Sequence, residues 1–127
     1  MSEEVRAITI KQPWASAIFY QGKDIENRSW ATKYRGPLLI HSGLVYAKDA
    51  PKLFPANMTC PEPCDITMLY GCILGVVDLV DCVSEHKSRW WLGEYGFVLK
   101  NPRLFRKPYE CRGKLGLWKP DRFMEIL

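Results

Sequence analysis

The sequence predicts an α+β fold, a small twisted sheet closing into a β-barrel with short helices at its side or mouth. Short runs of alternating or β-branched apolar residues recur along the chain, and only two stretches carry helical spacing, both brief. Nine glycines in 127 residues sit between and inside those runs, where tight turns and bulges let a sheet curl on itself.

Val5 to Lys11 alternates apolar and polar residues and reads as a first strand. Pro13 then suits a first helical position, and Trp14, Ala17, Ile18 and Gln21 repeat at helical spacing until Gly22 offers a left-handed stop. Ile25 to Trp30 is extended, with Glu26 and Arg28 on one face and Ile25, Asn27 and Ser29 on the other. Lys33 to Pro37 is a turn, Leu38 to His41 a buried strand ending at Ser42-Gly43, and Lys48 to Phe54 a helical turn or two. Pro55 to Thr67, rich in Pro, Asn, Thr and Cys, has no apolar period and reads as a loop or insertion. Tyr70 to Val83 is the strongest strand signal, mostly β-branched, with Gly71 and Gly75 as bulge sites. Gly96 to Leu99 and Lys114 to Trp118 complete the set of strands.

Composition narrows the class. With 47% hydrophobic and 25% charged residues the chain is that of a soluble globular protein. Its length suits one domain over 1–127 with a core of its own. No apolar run reaches a membrane span, and Ser2 to Arg6 lacks the basic flank and apolar block of a signal peptide, so a cytoplasmic location is expected. The five cysteines, odd in number and irregularly spaced, argue for reduced thiols rather than a disulfide framework. A net charge of +4 is compatible with a polyanionic partner without establishing one, and its basic residues gather at Lys23 to Arg35 and Arg103 to Lys119.

Several chemistries find little support. Cys60 and Cys64 have the spacing of two zinc ligands, but a structural site needs four and no second tight pair is present. No glycine-rich phosphate loop occurs, and neither His41 nor His86 lies in a hydrolase motif. No metal and no cofactor is expected.

The segment from Gln12 to Trp30 differs. Lys23, Glu26, Asn27 and Arg28 leave a helix stop and run into a strand beside Trp14 and Trp30. A groove of that make-up can neutralise phosphate, stack a base and bond its edge. A lysine beside a carboxylate can also act as a base if burial tunes it. The plain alternative is a surface salt-bridge network around structural tryptophans. Trp90 to Phe97 is a second aromatic concentration, fit either to hold a flat heterocycle or to close the barrel end. Arg103, Arg106, Lys107, Arg112, Lys114 and Lys119 form a basic rim.

Together the blocks ITIKQPWASAI, GKDIENRSW, YRGPLLIHSG, GCILGVVDLVDC, GEYGFVL and CRGKLGLW resemble the activating-signal-cointegrator homology (ASCH) domain of the PUA-like superfamily, from Ile8 to Trp118. Residues Leu44 to Met68 match least and make a variable loop or insertion. The resemblance implies a small β-barrel with flanking helices and a cleft beside the first helix that receives RNA or a modified nucleobase. One branch of the family is similar to acetylcytidine amidohydrolases, in which a Gly-x-Lys-x-x-Thr segment and a distant glutamate carry the reaction, and another member is a ribonuclease. Gly22 and Lys23 fit the Gly-Lys part of that segment, Arg28 matches the arginine that ends it, and its threonine place falls on Glu26. A carboxylate cannot stand in for a hydroxyl nucleophile without changing the chemistry. The distant glutamate is Glu85 or Glu94.

The first reading is a module binding RNA, or a nucleoside or nucleotide, with Gln12, Trp14, Lys23, Glu26, Asn27, Arg28 and Trp30 in the cleft and His41, Tyr95 and Lys114 near by; Lys23 and Arg28 would meet phosphate or a carbonyl, Glu26 and Asn27 a base edge, and an aromatic would stack. The second is a metal-independent hydrolase, an amidohydrolase or ribonuclease, using Lys23 with Glu26. A protein-interaction domain with an acidic partner is the third.

Overall fold

The computed structural model describes residues 5–120. Residues 1–4, on which part of the signal-peptide reading rests, lie outside them. Six strands and two short helices follow in the order β1 (Arg6–Gln12), α1 (Trp14–Tyr20), β2 (Ile25–Arg28), β3 (Gly36–Tyr46), α2 (Ala50–Leu53), β4 (Cys72–Val83), β5 (Tyr95–Glu110) and β6 (Leu117–Trp118). They form one curled sheet in the order β2-β5-β4-β3-β1-β6, a PUA-like half-barrel of α+β class. β1 and β3 are parallel and every other pair is antiparallel. Among the described residues no helix is long and apolar enough to cross a membrane.

β4 lies at the middle of the sheet, and Gly75 explains how one strand serves two cores. Cys72, Leu74, Val77 and Leu79 join Ile8, Ile40 and Phe97 in one cluster, while Ile73 and Val76 join Ala7, Leu39 and Trp118 in the other. Strand side chains alternate with a period of two, so even-numbered residues before Gly75 and odd-numbered ones after it can share a face only if a residue is inserted. The register does shift there, between Ile73 and Gly75 against β5 and between Ile40 and His41 against β3. A Cβ at Gly75 would strike the Arg103 carbonyl, the Leu104 Cα and the Phe19 ring, so the bulge is a place for glycine.

Two strands run further than the sequence suggests. β3 passes Ser42-Gly43 because the irregularity in β1 between Ile10 and Gln12 lets Gln12 pair with Tyr46. β5 continues from Leu99 to Glu110 with mostly exposed side chains, since its ladder with β4 supplies the hydrogen bonds that periodicity does not advertise. Residues 55–67 contain no helix or strand. In that segment Tyr46 donates to the Pro61 carbonyl at 2.6 Å and meets the Cys60 thiol at 3.3 Å, while Cys64 is exposed.

Candidate functional site

The sheet leaves a seam. β6 pairs only with Ala7 and Ile8 of β1, so the remainder of β1 on that edge has no strand beside it. The ladder stops there because Gly116, next in line to face Thr9, takes a left-handed φ of +68°. At the other end of the sheet β2 pairs only with β5, and the curl brings it round to β1. A single guanidinium spans the gap: Arg28 Nη2 donates to the Thr9 carbonyl oxygen at 3.0 Å.

Beneath the seam lies a buried ion network. Gly22 turns the chain at φ +71° after α1, and the Lys23 amide donates back to the Ala17 carbonyl at 3.1 Å, which sends the lysine side chain inward. Lys23 Nζ donates to the Ile25 carbonyl and, at 2.8 Å, to Glu26 Oε1; Arg28 Nε donates to Glu26 Oε2 at 3.0 Å. Lys23 and Glu26 are 4% and 6% exposed, so water does little to screen them. Burial pushes the Glu26 carboxyl up, but the Lys23 ammonium and the Arg28 guanidinium, both also hydrogen-bonded to it, outweigh that and hold it below the ordinary carboxylate value.

A proton-linked consequence follows from that balance. The unfolded chain holds the Glu26 proton more tightly than the folded one, so the cluster's contribution is whole above about 4.5, the ordinary glutamate value. It is lost as the pH falls through the lower folded value. The urea midpoint of the wild type should therefore drop more steeply below that pH than the midpoint of Glu26→Gln; parallel profiles would contradict the assignment.

Above the network a cleft of about 380 Å³ is lined by Thr9, Lys11 and Trp14 on one side and Glu26, Arg28 and Trp30 on the other. Trp30 is half-buried and meets Phe97 edge to face at 5.2 Å. Trp14 is stacked on Phe54 at 5.4 Å, edge-on to Trp90, with Lys23 Nζ 5.7 Å from its ring centre. These contacts fix both rings, so they wall the cleft without having to be ordered by a ligand.

Other residues singled out in the sequence have different surroundings. Gln12 is buried: Oε1 accepts the Ser16 amide at 2.9 Å, and Nε2 donates to Ser16 Oγ and the Leu69 carbonyl. It caps α1, a task proline before the helix cannot perform, and ties down the preceding edge of β4. Asn27 lines the cleft as expected, and its amide also holds the 90–92 segment, donating to the Trp90 carbonyl and accepting the Leu92 amide, both at 2.9 Å. Trp90 is buried against Trp14 and Phe54, and Trp91 covers Gly96, where a Cβ would meet its ring at 2.6 Å; this aromatic run closes the barrel. Tyr95, opposite Arg28 in the ladder, is exposed and lies outside the cleft, as do the exposed Glu85 and Glu94.

His41 belongs to a hydrogen-bonded chain. Its Nε2 meets the Cys111 carbonyl at 2.7 Å, and a carbonyl only accepts, so that nitrogen carries the proton. Nδ1 lies 3.3 Å from the Thr9 hydroxyl, and Thr9 accepts from the Trp118 indole at 3.1 Å. Lys114 stands beyond, beside a second cavity of about 480 Å³ that shares Thr9, Lys11 and Arg28 with the cleft. The sequence had not marked Thr9 or Lys11. The alternation along β1 was their only trace, and the seam that exposes them is a property of the whole sheet.

The half-barrel and its seam define the class, and the chain belongs to the ASCH domain family, whose model matches residues 8–112. It is 28% identical over 141 aligned residues to activating signal cointegrator 1 of Homo sapiens, and to the protein of the same name from Mus musculus. The alignments cover 90% of this chain and 22% of each relative, so the chain spans about a fifth of the length of the curated relatives it matches.

Proposed function

We propose that this protein binds RNA at the seam, taking an unpaired base or a single nucleotide into the cleft between β1 and β2. The observation that carries the reading is the cleft's composition: two immobilised tryptophans, a partly exposed guanidinium and Lys11 around one opening of about 380 Å³. A base has an apolar face for Trp30 and a polar edge for the remaining acceptor capacity of Glu26, while Arg28 and Lys11 suit phosphate. The family's association with RNA binding agrees with this. Lys23 serves as the support that keeps Glu26 ionised and in place, since its ammonium is spent on Glu26 and the Ile25 carbonyl.

Fluorescence anisotropy with short single-stranded RNAs, unmodified and modified, tests the proposal. Trp30→Ala, checked for fold by circular dichroism, should lose about 1–3 kcal/mol of affinity. Undiminished binding by a folded Trp30→Ala protein, or no binding by the wild type, would reject it. Mass spectrometry of the same mixtures, with acylated nucleosides added, separates binding from hydrolysis: released acyl groups or cut RNA would assign the site to a hydrolase.

A further inference from the structure

We propose that the second cavity takes the neighbouring nucleotide of the same strand, so that the ligand is an oligonucleotide of at least two residues rather than a free nucleoside. The proposal rests on the reading of the cleft as a base site.

The two cavities meet at Thr9, Lys11 and Arg28, which line both. Lys11 and Arg28 thus stand where a phosphate joining two nucleosides would lie, with a third cation, Lys114, further along. No acidic side chain is among the described residues that line the second cavity, so on that side a linking phosphate meets only attractive charge, while on the cleft side Glu26 is already paired with Lys23 and Arg28. At about 480 Å³ the cavity is within the range of small-ligand sites.

Its floor and rim differ in chemistry. The floor is Thr9 and His41, and glycine brings the main chain close over them: a Cβ at Gly113 would strike Thr9 Oγ1 and come within 2.9 Å of the His41 ring. The rim carries Leu44, Val45 and Leu115, which are 82%, 53% and 98% exposed. Three aliphatic side chains and three cations lining one cavity suit a ligand that is apolar on its faces and anionic at its link. A nucleotide has that make-up. The 113–116 loop that builds one wall lies beyond residues 8–112, over which the family model matches.

The test is a titration of the full chain with a 5′-phosphorylated mononucleotide and the corresponding di- and trinucleotides, in the wild type, in Leu115→Asp and in Trp30→Ala. Leu115 is almost wholly exposed, so its replacement leaves the fold alone. The dinucleotide should bind at least about tenfold more tightly than the mononucleotide, the effect of burying one further base against the aliphatic rim and adding its linking phosphate. Leu115→Asp should erase that gain and leave the mononucleotide unchanged, whereas Trp30→Ala should weaken both. Equal affinities for mono- and dinucleotide, with Leu115→Asp silent and Trp30→Ala still damaging, would overturn the second site and spare the cleft. Failure of every nucleotide to bind would overturn both. Binding of an acidic peptide such as oligoglutamate, sensitive to Leu115→Asp and not matched by any nucleotide, would overturn the proposal in favour of a protein partner.

Discussion

Glu26→Gln should destabilise this protein by about 3–5 kcal/mol, because it leaves a buried lysine ammonium without its counter-charge. The substitution keeps volume and shape, so packing is not the cause. What changes is that Lys23 and Arg28 face each other's charge across a neutral amide, with Lys23 only 4% exposed. Urea unfolding at neutral pH measures the loss. The double variant Lys23→Met/Glu26→Gln removes the stranded charge and should regain much of it, since a buried ion pair replaced as a unit costs far less than one broken in half. A loss below about 1 kcal/mol for the single variant would show that the network is solvated and only as strong as a surface salt bridge.

Arg28→Ala carries the largest expected effect on binding. Its guanidinium holds Glu26, spans the seam to Thr9 and lines both cavities. Truncating one member of a hydrogen-bonded charge pair at an interface costs about 2–5 kcal/mol of affinity. The salt dependence should change as well, the slope of log K against log salt falling by about 0.7 for one lost phosphate contact on a single strand. Arg28→Lys keeps the charge yet cannot reach Glu26 and Thr9 together in the same planar fork, so it should recover the salt slope and only part of the affinity. Wild-type affinity in a folded Arg28→Ala protein would place the ligand elsewhere.

What the sequence makes legible here is local chemistry. The helix from Trp14, its stop at Gly22, the shared face of Glu26 and Arg28 and the bulge at Gly75 all depend on spacing and backbone preference within a few residues. The roles of the amides were not legible. Gln12 braces the fold and Asn27 does so while lining the cleft, and the partners that make them braces, at Leu69, Trp90 and Leu92, stand 57 to 65 residues away. The polar half of β5 carries no strand signal for a similar reason: its partner strand, and not its own pattern, makes it a strand. The second cavity needs β1, the end of β3 and the 113–116 loop at once, and no single window of sequence contains them.

The handedness of one glycine governs how large an opening the protein keeps. Were Gly116 extended, β6 could take Thr9 as its next partner after Ile8, advancing the ladder by about 3.3 Å along β1. The carbonyl that Arg28 now holds would then be enclosed by main chain, and the two cavities would lose their common threshold. A two-residue strand therefore acts as a ruler: its length sets how much of β1 stays open beside Arg28, whatever the side chains on either side of the opening.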